Sequence, residues 1–260
     1  TLSHPYRTAI HLGQTSFLCL FFFTFGLFLI NRYKKKPLNI GYMIYGLSAL
    51  KYSFAPSLFT GLFLKHEKKL FFLAILPILI GYPYLFFMTG SNIFSDIFKP
   101  LVIAKKVTTL NMIGQGDLMS LVDSLSWPIS DYFFFFGILG IFLSAFITFV
   151  AHKINLNGLS YWSIVSISSL CFIRHLYYDY IFLIFPLIYL LKCSSRKIKL
   201  ILLIQIFWFW YVSSPLRVLI VHLGYKESLT PLLIGLGFLL NIASIFSIFS
   251  NEKSFNFSNK

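Results

Sequence analysis

The sequence predicts an all-α protein, a polytopic bundle of transmembrane helices, and three observations carry that prediction. Hydrophobic residues make up 57% of the 260 and charged residues only 12%, with a mean hydropathy of +0.79. So little polar surface cannot clothe an ordinary soluble domain. Apolar runs long enough, or nearly long enough, to cross a hydrocarbon core recur along the chain. Between them stand short loops rich in Lys and Arg, which is where the formal charge of +14 resides. In a soluble protein that charge would suggest a nucleic-acid partner; confined to loops between apolar runs it points to membrane topology and to no nucleic acid.

The runs fall at roughly 15–31, 69–89, 132–151, 157–173, 176–191, 199–214 and 229–249. Before the first of them, Ser3 suits an N-cap and Pro5 a first helical turn. His4, Arg7, His11 and Gln14 follow at spacings of 3, 4 and 3, which places all four on one helix face. That face is either a solvated helix end whose charges reach the headgroups, or the wall of a water-filled cavity that meets an anionic group. The chain begins with Thr1 in this polar turn and has no signal-like region. The expectation is a single integral-membrane domain over 1–260 whose upstream spans precede Thr1.

Segment 37–64, PLNIGYMIYGLSALKYSFAPSLFTGLFL, is apolar except for Lys51 and is interrupted by Pro56. It can be one long span or a re-entrant hairpin of two short helices. With the hairpin, fourteen basic residues fall on the presumed cytoplasmic side against seven outside; a single span gives ten against eleven. The positive-inside rule therefore selects the hairpin and puts 90–131 outside as an extracytoplasmic amphipathic loop, with Ile97, Leu101 and Ala104 at helical spacing.

Lys51 then lies deep in the hydrocarbon region, about 21 Å above the cytoplasmic helix end at about 1.5 Å per residue. Either it snorkels from the hairpin tip, or it pairs with an anion from outside the protein, such as a lipid phosphate, because no acidic residue stands near it in sequence. In CFIRHLYYDYIFLIFP (171–186), Arg174 and Tyr178 are four apart, as are His175 and Asp179. One helical turn would bring His175 against Asp179, as an ion pair closing a tight turn or as a substrate-binding pair. Arg217, His222 and Lys226 read as the dressing of an outer loop, and GQGD (114–117) as a turn. Cys19, Cys171 and Cys193 form neither a metal spacing nor a disulfide pair, and no cofactor motif is present.

Taken in order, HPYRTAIHLGQTS, the basic loop after it, GYMIYGLSALKYSFAP, the basic loop KHEKK and the later turn RHLYYDY resemble glycosyltransferase family 87. The resemblance covers residues 3–90, and 157–192 more loosely. It implies a GT-C fold and transfer of a sugar, mannose or another hexose or pentose, from a polyprenyl-phosphate donor to an extracytoplasmic glycan or glycolipid acceptor. It implies no cofactor; the absence of retention motifs and a compact, loop-poor plan favour a prokaryotic plasma membrane, with membrane lipids as the surroundings. Lys51 matches the family's Lys after the Gly-rich helix, and Arg7 and Gln14 its Arg and Gly-Gln before the span. With His11, Arg174, His175 and Asp179 they make up the expected substrate-binding set. Family members carry the catalytic carboxylate in a first outer loop, which is expected upstream of Thr1; Asp179 is the one candidate base within this chain. A transporter or flippase for a lipid-linked or anionic substrate is the principal alternative, and a non-catalytic scaffold the third.

Overall fold

A computed structural model describes residues 15–33, 40–51, 53–65, 68–90, 116–125, 129–156, 158–175 and 177–258. The opening stripe, with His4, Arg7, His11 and Gln14, and most of the loop 90–131, with Ile97, Leu101 and Ala104, lie outside them. All regular structure among the described residues is helical. In chain order the elements are α1 (Thr15–Arg32), α2 (Ile40–Leu47) with a 3-10 turn (Ser48–Leu50), α3 (Ala55–Lys65), α4 (Lys68–Thr89), α5 (Leu118–Ser124), α6 (Ile129–Lys153), α7 (Gly158–Phe172), a 3-10 segment (Tyr177–Leu183), α8 (Ile184–Lys192), α9 (Arg196–Phe207), a π-helical stretch (Trp208–Val212), α10 (Ser213–His222) and α11 (Lys226–Ser258).

The outer surface is unlike a soluble domain's. Large apolar residues cover the outside, among them Phe21 and Phe28 on α1, Phe72 and Phe87 on α4, and Phe142 and Phe146 on α6. The interior is also largely apolar, with Phe23, Tyr45, Leu58, Ile164 and Phe182 at its core, and polar residues are set within it, including Ser57, Ser144, Ser168, Asn241 and Asp179. Thr15–Arg32, Phe134–Lys153 and Leu229–Asn251 are long and apolar enough to cross a membrane; Ile40–Leu50, Phe71–Gly81 and Gly158–Phe172 are shorter apolar helices. Three of the expected runs thus differ from plain spans, 199–214 because it passes from α9 through the π-helical stretch into α10. The run 157–173 is a 15-residue helix buried along its whole length from Ser160 to Phe172, a central post wrapped by α3, α6, α8 and α11. The run 176–191 divides into 3-10 and α-helical parts.

Segment 37–64 is not one continuous helix. The 3-10 turn ends α2, Lys51 turns extended (φ −96°, ψ 104°), and α3 starts at Ala55 with Pro56 in its first turn, where the missing N–H is not needed. The two halves part company: α2 packs on α1 and α4, α3 on α6 and α7. Tyr45 stitches across the break by donating its hydroxyl to the Leu58 carbonyl at 2.7 Å. Glycines set the closest crossings. A Cβ at Gly46 would fall 1.8 Å from the Ala74 carbonyl oxygen, and one at Gly140 2.1 Å from that of Phe172. Such contact between backbones is the packing that small residues allow.

A polar clasp joins the C-terminal helices to α5. Asn241 Nδ2 donates to the Gly116 carbonyl at 2.9 Å, and Asn241 Oδ1 accepts from Gln205 Nε2 at 2.6 Å. Gly116 N–H donates to the Tyr180 hydroxyl at 2.7 Å, whose ring stacks on Phe209 with centroids 4.0 Å apart. Asn241→Leu leaves two buried groups unpaired and is expected to cost about 2–3 kcal/mol. Thermal unfolding of the detergent-solubilised protein measures this; a midpoint equal to the parent's would show that the clasp contributes nothing.

Candidate functional site

The break between α2 and α3 delivers Lys51 into the interior of the bundle. At helical spacing, α1 buries Ser16, Cys19, Leu20, Phe23, Leu27 and Ile30, so Ser16 is a polar residue on the core face. From the other side, the chain leaving α7 runs through Arg174 and His175 and coils into the 3-10 segment that carries Asp179. These three approaches meet. Lys51 Nζ forms an ion pair with Asp179 Oδ1 and donates to Ser16 Oγ at 2.6 Å, and Ser16 Oγ donates to the same carboxylate oxygen at 2.6 Å. His175 Nδ1 lies 3.1 Å from Asp179 Oδ2, and its Nε2 lies 3.1 Å from Ser169 Oγ. Phe54 covers the imidazole, with ring centroids 4.3 Å apart.

The cluster is dry. The Asp179 side chain is 1% exposed and that of Lys51 11%, so Lys51 is the group with residual access to the surface. An ammonium and a carboxylate removed from water require each other, since either alone would be an uncompensated buried charge. Its depth can be placed through Gly140, which abuts the Phe172 carbonyl. Gly140 stands six residues beyond Phe134 and thirteen before Lys153, so the cluster end of α7 is about 9 Å from one end of that apolar stretch and about 20 Å from the other.

Arg174 turns away from this group. Its guanidinium Nη2 is 3.9 Å from Asp123 Oδ2 on α5. Asp117 N-caps the same helix, accepting from Ser120 N–H at 2.8 Å and from the Ser120 hydroxyl at 2.7 Å. Burial pushes the Asp117 carboxyl above its ordinary value, while the charge of Arg174 and the Ser120 hydrogen bonds pull it back down. Arg174 therefore ties α5 to the bundle beside the cluster rather than within it.

Of the residues singled out from the sequence, Lys51, His175 and Asp179 come together, Arg174 is adjacent, and Arg7, His11 and Gln14 lie outside the described residues. His175 meets Asp179 as the four-residue spacing suggested, although the backbone there is a loop entering a 3-10 segment rather than an α-helical turn. One expectation is corrected. The anion paired with Lys51 belongs to the chain itself: Asp179, 128 positions away, became its neighbour through the packing of the 3-10 segment against α1 and the end of α2. Ser16, Ser169, Asp117 and Asp123 escaped the sequence reading. Only Ser16 carried a usable signal, as a hydroxyl in phase with the apolar core stripe of α1.

Two apolar grooves run between helices that also contribute to the cluster or lead to it. One, of about 400 Å³, lies between α2 and α4 and reaches Leu47, one turn before Lys51. The other, of about 270 Å³, lies between α1 and α8 and starts at Phe17, next to Ser16. No protein-family model, curated protein or solved structure matches the chain.

Proposed function

We propose that the chain is the multi-pass membrane portion of a glycosyltransferase that moves a sugar from a polyprenyl-phosphate donor to an extracytoplasmic glycan or glycolipid acceptor. The observation that carries this reading is a lysine held at a helix break inside a bundle whose outer surface is apolar. Three helices of membrane-crossing length and an exterior of exposed Phe and Leu support residence in a bilayer. Within such a bundle an ionisable side chain marks a functional site by default.

The chemistry fits an ammonium at this position. When a glycosyl group leaves a lipid phosphate, negative charge builds on the departing oxygens, and a preoriented cation in a water-poor setting stabilises it. Asp179 and Ser16 fix the direction of the Lys51 ammonium, and its partial exposure lets it reach a phosphate. The grooves ending at Leu47 and Phe17 offer an apolar surface beside it. Asp179 has both oxygens engaged and is 1% exposed. It serves as the counter-ion that positions Lys51, and the base that deprotonates the acceptor is assigned to another carboxylate.

The test uses membranes from cells expressing the full-length protein, supplied with radiolabelled polyprenyl-phosphate mannose and an endogenous glycan acceptor. Replacing Lys51 and Asp179 together by Met and Leu removes the ammonium without stranding a buried charge. Sugar transfer is expected to fall by about 100-fold or more, the scale of a lost transition-state contact. Undiminished transfer by the double variant, or no transfer by the parent, would sink the reading.

A further inference from the structure

Cations gather at the end of the bundle away from the Lys51 cluster. A ring contact sets the level between the two ends: Phe23 on α1 meets Phe185 on α8, with centroids 4.8 Å apart. Ser16 stands seven residues before Phe23 and Asp179 six before Phe185, and these two meet in the cluster. From there α1 and the chain through α8 run side by side in one direction, and both helices finish on a cation. Arg32 ends α1 and Lys192 ends α8, about 14 Å and about 10 Å beyond the ring contact at about 1.5 Å per residue. The turn after α8 is tight, with the Cys193 N–H donating to the Tyr189 carbonyl at 2.8 Å, and it leads at once into Arg196 and Lys197 of α9.

Arg32, Lys192, Arg196 and Lys197 are all exposed, and none of them forms an ion pair among the described residues. Asp117, Asp123 and Asp179, the carboxylates whose side chains are described, lie in the cluster or beside it at the other end. Cations in the first turn of α9 also oppose the helix dipole, and that turn has no acidic residue. Between α1 and α8 runs the apolar groove of about 270 Å³, lined by Phe17, Phe21 and Thr24 on one side and by Ile184 and Ile188 on the other. The α1 face continues through Phe28 to Arg32, and Lys192 follows one turn beyond Ile188. The groove thus starts about 6 Å from Lys192 and reaches Phe17, about 22 Å from Arg32. One leaflet's share of a hydrocarbon core of about 30 Å is about 15 Å, so a chain hung from a headgroup at these cations enters the groove. Its volume lies just under the about 300 Å³ at which small-molecule sites begin, which is room for one chain.

We propose that this groove and the cations at its mouth bind an anionic phospholipid, one acyl chain lying between α1 and α8 and the phosphate facing Arg32, Lys192 and the first turn of α9. A lipid of no net charge leaves the four cations unbalanced, and a soluble anion leaves the groove unfilled. Only a charged headgroup carrying a chain answers both features, and basic residues at a helix end attract such headgroups by about fivefold in affinity each. The proposal rests on the chain residing in a bilayer. It is independent of sugar transfer, because this headgroup and a donor phosphate at Lys51 stand at opposite ends of the bundle.

The experiment equilibrates the purified full-length protein in detergent with equal amounts of phosphatidylglycerol and phosphatidylcholine bearing the same acyl chains, and counts the retained lipids by native mass spectrometry. Phosphatidylglycerol is expected to be retained over phosphatidylcholine by about tenfold or more. Replacing Lys192 and Arg196 together by Gln is expected to lower that preference at least about fivefold, the scale set by the cations removed. Ile188→Trp fills the groove and is expected to lower phosphatidylglycerol retention by a similar factor; Thr24→Phe fills the same groove from α1 and replaces it if the Trp variant does not fold. Lys153→Gln removes an exposed cation where α6 ends, away from the groove, and is expected to change neither. Unfolding midpoints report which variants are folded. Equal retention of the two lipids by the parent would overturn the site, as would unchanged retention in the folded cation or groove variants. Displacement of the lipid by glycerol phosphate, or a loss as large in Lys153→Gln, would overturn it too, by showing that the groove takes no part. Protein washed off membranes by carbonate would overturn it together with the membrane reading, whereas loss of sugar transfer with lipid retention intact bears on the transferase reading alone.

Discussion

Lys51→Met is expected to lower the unfolding free energy by about 3–5 kcal/mol, because it strands the Asp179 carboxylate in the interior with its partner gone. Asp179 is 1% exposed, so water cannot replace the lost ammonium without opening the contact between α1 and the 3-10 segment. Asp179→Leu is expected to cost a similar amount by stranding the ammonium. Replacing both residues together should recover most of the loss, since an apolar pair of comparable volume carries no desolvation cost. A denaturant or thermal melt of the three variants in detergent reads this as strong non-additivity. If the double variant were as unstable as the sum of the singles, the two groups would not form a pair. The cycle also separates roles. A pair kept only for stability could be exchanged for Met and Leu with sugar transfer intact, and the phosphate-contact reading requires that it cannot.

Gly46→Val is expected to be the most damaging single substitution in an apolar helix of this chain. Its Cβ would sit 1.8 Å from the Ala74 carbonyl oxygen, and the obstacle is backbone rather than a flexible side-chain tip. α2 and α4 would have to separate, forfeiting contacts along the crossing, at a cost at or above the about 3 kcal/mol that ordinary overpacking reaches. Gly140→Val meets the same difficulty at Phe172. Gly81 and Gly137 are the internal controls, because a Cβ at either has nothing within 4 Å. Ala at those two positions is expected to be neutral or mildly stabilising, by up to about 1 kcal/mol from helix propensity. Unfolding midpoints of all four variants test the contrast; a Gly46→Val protein melting with the parent would mean that α2 and α4 do not cross there.

The candidate site was only partly legible before the fold was in hand. Lys51 announced itself as a lone charge in an apolar stretch, and the four-residue spacing of His175 and Asp179 brought those two together on paper. The resemblance grouped Lys51 with His175 and Asp179 in one substrate-binding set, but nothing local paired Lys51 with Asp179, since the two are 128 positions apart. Ser57, Ser144 and Ser168 stand in three different apolar segments, and their meeting is a property of how α3, α6 and α7 pack. The run 157–173 shows the same limit. Its hydropathy matches that of a span, yet Gly158–Phe172 is a short central post surrounded by other helices, because hydropathy reports the cost of contact with water and does not distinguish lipid from protein neighbours.

The sequence by itself determined the class of the protein: all-helical, with an apolar exterior, a break near Pro56, and a few charges in places where they require partners. Those features are sums of local terms, transfer free energies and backbone preferences, which each residue carries wherever the chain goes. The tertiary structure alone decided which polar groups meet: Asp179 beside Lys51, Arg174 with Asp123 rather than with the cluster, and three serines from three helices at one point. Partner choice depends on the relative placement of distant segments, and inside the bundle a buried polar group draws its protein partners from whatever that placement brings within reach.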